Sequence, residues 1–139
     1  MEEVFVIDNS VVMSWCFKDE ANDYADAVLE KLMTARAIVP AIWPLEVVNV
    51  LLVAERKKRL KQADSFRILT LLLQLPIEAE QEWSQKAMPD LLALGRNLDL
   101  SSYDLSYLNL AMRRGCPLAS LDQKLVSAAK ESGVSILET

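Results

Sequence analysis

The stretch Val4-Phe5-Val6-Ile7-Asp8-Asn9-Ser10 decides how this chain folds. Its four leading residues are apolar and rich in valine and isoleucine. The run is too short for a stable helix, so it favours a buried strand over Glu3–Ile7. Asp8 follows that strand directly. Because open parallel sheets bind ligands at the carboxyl ends of their strands, the stretch predicts a functional carboxylate at this edge.

Three further acids occupy comparable places in the sequence. Asp122 follows the apolar run 117–121, whereas Glu46 and Asp104 begin helical stretches. Because alternating strands and helices bring strand ends and helix starts to the same edge of a sheet, we expect all four acids to converge there. Converging carboxylates repel one another unless a cation joins them. The combination therefore predicts a metal site.

Each acid taken alone also has a purely structural explanation. Acidic side chains stabilise the first turn of a helix by roughly 0.3–1 kcal/mol through the helix dipole. Asp8 and Asp122 could cap the helices that follow them, and Glu46 lies two residues after Pro44 in a first turn. Asp104 stands three residues after a serine, close to the spacing of a capping box. Only the convergence of all four favours the metal site.

Size and composition restrict the classes of protein. A chain of 139 residues with 52% apolar content predicts one compact domain, residues 1–139. With a net charge of −5, the chain does not produce the positive long-range field of a general nucleic-acid binder. Binding of a nucleic acid would therefore need a local basic patch or a metal ion beneath the phosphate. The absence of histidine excludes an imidazole base or zinc ligand. Cys16 and Cys116 are interpreted as buried reduced thiols rather than a disulfide.

The cellular location is predicted from two segments. The start Met1-Glu2-Glu3 is acidic where a signal peptide is basic. The apolar run Leu69–Leu75 is far too short to cross a bilayer. Both observations favour a soluble, cytoplasmic protein.

Short apolar strands alternate with longer helical patterns along the whole chain, which predicts an α/β fold: a three-layer α/β/α sandwich with a short, mostly parallel central sheet. The predicted strands are Glu3–Ile7, Ala37–Val39, Ile77–Ala79, Leu118–Ser120 and Val134–Leu137. The predicted helices are Asn9–Phe17 (a helix or a turn), Asn22–Ala35, Pro44 to about Leu60, Ala63–Leu75, Gln81–Arg96 kinked or divided at Pro89, Ser102–Arg114 ended by Gly115, and Asp122–Ser132.

Three other α/β classes lack their signature residues here. A response-regulator receiver needs an acidic pair at the end of the first strand, and Asn9 follows Asp8. A haloacid-dehalogenase-like phosphatase needs Asp-x-Asp there, and Ser10 occupies the second position. A Rossmann-type nucleotide binder needs a glycine-rich turn, and none of the three glycines lies after the first strand.

The four segments that carry the acids resemble the four acidic motifs of PIN domains, most closely the VapC-type toxins of toxin–antitoxin pairs. These segments are 6–10 (Val-Ile-Asp-Asn-Ser), 44–49 (Pro-Leu-Glu-Val-Val-Asn), 102–107 (Ser-Tyr-Asp-Leu-Ser-Tyr) and 118–122 (Leu-Ala-Ser-Leu-Asp). Their order and spacing agree over essentially the whole chain. Two positions depart from the family pattern, because Asn9 replaces a threonine or serine and Ser120 replaces a threonine. Neither departure removes a carboxylate.

The ligand set defines the expected chemistry. Carboxylates without histidine or thiolate suit a hard cation, Mg²⁺ or Mn²⁺, which activates water for hydrolysis of a phosphodiester. We expect Asp8 and Asp104 to bind the ion directly, in agreement with the resemblance, and Asp122 and Glu46 to act through water or a second ion. Ser10 and Ser120 are expected to orient carboxylates by hydrogen bonds. Asp99 is interpreted as a solvated loop acid beside the third motif.

The resemblance implies an endoribonuclease with an RNA substrate, a cognate antitoxin that docks on the apolar faces of Val47–Ala54 and Ile68–Leu75, and a homodimer. The alternative is a PIN-like module that binds RNA or protein without cutting. The basic run 56–61, Arg67, Arg113 and Arg114 could contact phosphates or simply be solvated. Trp15 and Trp83 could stack bases, but core packing explains both equally simply.

Overall fold

The central sheet contains four strands, all parallel, in the computed structural model, which describes residues 3–81 and 85–139. The strand order is β3-β2-β1-β4. The strands are β1 (Glu3–Ile7), β2 (Ala35–Val39), β3 (Ile77–Ala79) and β4 (Leu118–Ala119). The first strand pairs with both β2 and β4, so it lies inside the sheet. Phe5, Val6 and Ile7 are completely buried, as expected of a parallel strand covered on both faces.

Helices flank this sheet, which confirms the predicted α/β sandwich. They are α1 (Asn9–Cys16), α2 (Asp23–Lys31), α3 (Trp43–Arg56), α4 (Gln62–Gln74), α5 (Met88–Asn97), α6 (Ser102–Arg114) and α7 (Gln123–Glu131), with short 3-10 turns at Lys18–Glu20 and Gln85–Ala87. The sixth helix is the most deeply placed, because every residue from Leu105 to Ala111 is buried. Its end at Gly115 matches the prediction, since Gly115 adopts the left-handed conformation that stops a helix (φ 60°).

Several predicted boundaries were wrong, each for a local reason. The helix predicted to reach Leu60 ends at Arg56, because Lys58 turns to a positive φ of 60°. The helix predicted over Asn22–Ala35 ends at Lys31, since Ala35 already pairs with Glu3 of β1. The predicted last strand is reduced to one bridge between Leu118 and Ile136.

The helix predicted over Gln81–Arg96 differs most from the structure. A 3-10 turn precedes α5, which begins at Met88 with Pro89 in its first turn, so the helical stretch is divided next to Pro89 rather than kinked. Residues 82–84 of the prediction lie outside the described residues. Both cysteines are half-buried free thiols. No helix in the described part of the chain is long and apolar enough to cross a membrane.

Candidate metal centre

Asp8 lies where β1 ends and α1 begins, and its side chain is only 4% exposed. Its Oδ1 accepts the backbone N–H of Ser10 (3.1 Å) and the Ser10 hydroxyl, which makes Asp8 the N-cap of α1. Its Oδ2 accepts the Ser120 hydroxyl at 2.7 Å. Hydrogen bonds therefore hold both oxygens of this carboxylate in one orientation.

The two serine hydroxyls are themselves fixed by backbone donors of the β4–α7 connection. The N–H of Leu121 donates to Ser10 Oγ (2.9 Å), and the N–H of Asp122 donates to Ser120 Oγ (3.0 Å). Each hydroxyl therefore has a defined acceptor and donor, and each must give its proton to Asp8. The first and fourth acidic segments are thus joined into one hydrogen-bonded unit.

Burial dominates the electrostatics of Asp8. Loss of solvent raises the pKa of this carboxyl from 3.8 to about 6, although the hydrogen bonds from Ser10 and Ser120 oppose the shift. The protein thus holds an acid in a place where its negative charge is poorly solvated. A cation beside it would reverse the shift and favour the charged form.

Glu46 and Asp104 lie in the first turns of α3 and α6. Burial raises the pKa of Glu46, and the charge of Asp104 raises it further. Burial likewise raises the pKa of Asp104, followed by the charge of Asp122. Asp104 is therefore near enough to Glu46 and to Asp122 for one member of each pair to feel the charge of the other. The Tyr107 hydroxyl donates to Glu46 Oε1 at 2.5 Å and counteracts part of the effect on Glu46.

Asp122 also caps a helix, as its structural explanation predicts. Its Oδ1 accepts the N–H groups of Lys124 (3.0 Å) and Leu125 (3.3 Å) at the start of α7. Asp104 does not cap its own helix, because Ser101 is the N-cap and accepts the Asp104 N–H at 3.2 Å. The capping and site roles coexist, since capping by Asp122 uses one oxygen of the carboxylate.

The donor set fits a hydrated hard cation better than a metal enclosed by protein. No three Asp, Glu or Cys side chains among residues 3–81 and 85–139 converge closely enough to hold one ion by themselves. Within the same ranges, no lysine or arginine forms a salt bridge with any of the four acids. Mg²⁺ keeps several waters and uses one or two carboxylates directly, so an uncompensated oxygen cluster of this kind suits it.

Three of the basic residues considered above, Arg59, Arg67 and Arg113, form structural pairs elsewhere. Arg56 lies ten residues after Glu46 along α3, about 15 Å away at 1.5 Å per residue. Arg59 pairs with Asp19 (3.0 Å) and covers the Phe17 ring at 4.3 Å. The remaining contacts are Arg67 with Asp64, Arg113 with Glu80 and Asn109, and Lys124 with Asp99.

Two tryptophans were considered for base stacking. Trp15 donates its indole N–H to the Ala25 carbonyl (2.7 Å) and packs against the core, which favours the packing interpretation. Trp83 lies outside the described residues.

The residue whose role went unpredicted is Tyr107. Its signal was available, because it follows Asp104 by three residues and therefore lies on the same face of α6.

An apolar groove lies away from the acids. It has a volume of about 1020 Å³ and runs between the end of α1, α2, the segment after α3, and α4. Leucines and aromatic residues line its floor, and charged side chains lie along its rim. The outer face of α4 is also apolar, since Phe66 and Leu73 are 74% and 82% exposed.

Comparison with known proteins agrees with this architecture. The crystal structure of PAE2754 from Pyrobaculum aerophilum has a TM-score of 0.68 and 21% identity, covering 94% of this chain and 89% of that one. The crystal structure of VapBC2 from Rickettsia felis, bound to a DNA fragment from their promoter, has a TM-score of 0.63 and 17% identity, covering 97% of each chain. No curated protein matches the chain. The family model for the PIN domain matches residues 5–131, which confirms the resemblance, and the chain therefore belongs to the PIN-domain family.

Proposed function

We propose that this chain is a metal-dependent endoribonuclease of the VapC toxin type. The observation that carries the proposal is the set of four acids at this edge of the sheet: Asp8 is buried, Asp104 repels Glu46, Asp122 repels Asp104, and no described lysine or arginine forms a salt bridge with any of the four. Membership of the PIN family, whose members are generally nucleases, supports hydrolysis of nucleic acid. The absence of histidine favours metal-assisted hydrolysis over imidazole chemistry.

Each residue of the site has a separate proposed role. Asp8 and Asp104 would hold Mg²⁺ or Mn²⁺ directly, and Glu46 and Asp122 would hold its waters or a second ion. When bound, the ion supplies an activated water and stabilises charge on the phosphate oxygens. Ser10 and Ser120 keep the Asp8 oxygens in place, so little reorganisation is needed when the ion enters.

A protein partner is part of the proposal. The groove beside α4 and the exposed apolar face of that helix would receive a helix of a cognate antitoxin. The structural likeness to VapBC2 of Rickettsia felis supports this assignment. We further propose a homodimer, built on the stripe of Leu45, Val48 and Leu52 that α3 exposes. A toxin that cuts RNA under antitoxin control would act in the cytoplasm, as one domain spanning residues 1–139.

The test is cleavage of structured RNA by the purified chain with Mg²⁺ or Mn²⁺, with and without EDTA. We expect chelator-sensitive cleavage that Asp8→Asn and Asp104→Asn abolish while circular dichroism remains unchanged. Asp26→Asn makes the same chemical change at an exposed position on α2 and should retain full cleavage. Persistent RNA binding without cleavage would select the non-catalytic module, and full activity of Asp104→Asn would refute the assignment of the site.

A further inference from the structure

Tyr107 reaches the acidic cluster from the core side of the protein. Its side chain is 2% exposed and belongs to the hydrophobic core. Only its hydroxyl is used for a polar contact, the hydrogen bond of 2.5 Å to Glu46 Oε1. This bond joins α6 to α3, the two helices that carry Asp104 and Glu46 in their first turns.

The contact is directional because a phenol and a carboxylate have fixed roles. With an ordinary pKa of about 10, the phenol is protonated at neutral pH and donates. The charged carboxylate of Glu46 can only accept. Glu46 Oε1 is therefore occupied, while Oε2 has no hydrogen-bonding partner within residues 3–81 and 85–139. Asp104 lies one helical turn before Tyr107 on the same face of α6, and its charge raises the pKa of Glu46, so the two carboxylates are electrostatic neighbours.

We propose that Tyr107 is a positioning residue that fixes the Glu46 carboxylate so that its free oxygen serves a divalent cation or a water bound to that cation. The inference rests on the proposed function, because it assigns a role within the same site. A glutamate has three rotatable side-chain bonds, and ordering such a side chain costs conformational entropy. The hydrogen bond from the buried Tyr107 hydroxyl orders the Glu46 side chain before the ion binds.

A simpler explanation must be distinguished from this one. A buried tyrosine hydroxyl needs some hydrogen-bonding partner, and Glu46 could merely satisfy it. In that case, loss of the hydroxyl would lower stability without changing how the site binds a cation. The two explanations differ in metal affinity, which can be measured without any RNA.

The experiment is a double-mutant cycle on the Mn²⁺ affinity of the full chain. The affinity is measured by isothermal titration calorimetry and by electron paramagnetic resonance of the free Mn²⁺. Tyr107→Phe removes only the hydroxyl and should weaken Mn²⁺ binding about 10-fold, the lower end of the range for groups that orient metal ligands. In the Glu46→Ala background, the same change should alter the affinity less than about twofold. Tyr24→Phe is the matched control, because its hydroxyl also donates one hydrogen bond, to the Leu137 carbonyl at 2.9 Å.

A second measurement keeps the Tyr107 hydroxyl in place and observes it directly. The chain has three tyrosines, so labelling their ring carbon next to the hydroxyl with ¹³C gives three resolvable resonances. Addition of Mg²⁺ should shift the Tyr107 resonance in the wild-type chain and leave it unmoved in Glu46→Ala.

The outcomes separate the two proposals. Wild-type chain that binds no Mn²⁺ would overturn both the proposed function and the role of Tyr107. Wild-type binding with equal affinity in Tyr107→Phe, or a Tyr107 resonance that Mg²⁺ does not shift, would overturn the positioning role alone. An equal loss of affinity in Tyr107→Phe and Tyr24→Phe would show a general structural effect and would also overturn it.

Discussion

Replacement of Asp8 by asparagine should remove a pH-dependent loss of stability from the metal-free protein. The carboxyl has a pKa of about 6 in the folded chain against an ordinary value of 3.8, and burial is the principal cause. At 1.36 kcal/mol per unit of pKa, the folded state loses about 3 kcal/mol through this group as the pH rises past both values. Asparagine carries no charge and avoids that loss.

The sign follows from the order of the two pKa values. Because the folded pKa is the higher one, the native protein binds more protons than the unfolded chain between pH 3.8 and about 6. The contribution of Asp8 to the unfolding free energy is therefore most favourable below pH 3.8, and it is lost as the pH rises through 6. Burial also raises the pKa values of Glu46 and Asp104, so part of the same trend persists in the variant.

The assay is urea denaturation of wild type and Asp8→Asn in EDTA at several pH values between 4 and 7.5. The difference in unfolding free energy should move in favour of the variant by about 2.4 kcal/mol between pH 4 and pH 7, because part of the full effect is already lost at pH 4. Glu30→Gln, on the exposed side of α2, should show no such trend. A difference independent of pH would refute the claim that Asp8 is held charged at the expense of stability.

Three other perturbations have defined outcomes. Ser120→Ala removes a donor to Asp8 and leaves the Asp122 N–H without its acceptor, so it should cost about 1–3 kcal/mol in urea denaturation, whereas Ser120→Thr should retain wild-type stability. Gly115→Ala should cost about 1 kcal/mol, because a Cβ there meets no atom within 4 Å and only the left-handed backbone is strained; an unchanged midpoint would contradict this. Mn²⁺ at a hundred times its Kd should raise the unfolding free energy of the wild type by about 2.7 kcal/mol and that of Asp104→Asn by much less.

The strands and long helices could be predicted because their signals are local. The run before Asp8 is apolar on both faces, which is typical of a central parallel strand, and the structure places it inside the sheet. Proline and glycine defined helix ends correctly at Pro44 and Gly115. The last strand could not be judged this way, since whether Ile136 forms a full ladder or a single bridge depends on tertiary pairing with Leu118.

The candidate site could be predicted only in part. Topology was sufficient to bring the acids to one edge, because parallel strands share a direction. The sequence predicts that Ser10 and Ser120 donate hydrogen bonds to carboxylates. It does not predict that the backbone N–H groups of Leu121 and Asp122 hold these two hydroxyls, because those contacts depend on the tertiary structure. The contact of Tyr107 with Glu46 spans 61 residues: the spacing places Tyr107 on the Asp104 face of α6, but it does not indicate Glu46 as the partner.

The hydrogen bond between Asp8 and Ser120 joins positions 112 residues apart, and this has a consequence for synthesis on the ribosome. During synthesis β1 and Asp8 are translated 112 residues before Ser120, whose hydroxyl orients that acid. For a chain that we propose to cut RNA, the centre is completed only after β4 has emerged and docked beside β1. On that proposal, the order of translation prevents the acidic centre from being complete, and able to cut the messenger RNA, before β4 has been synthesised.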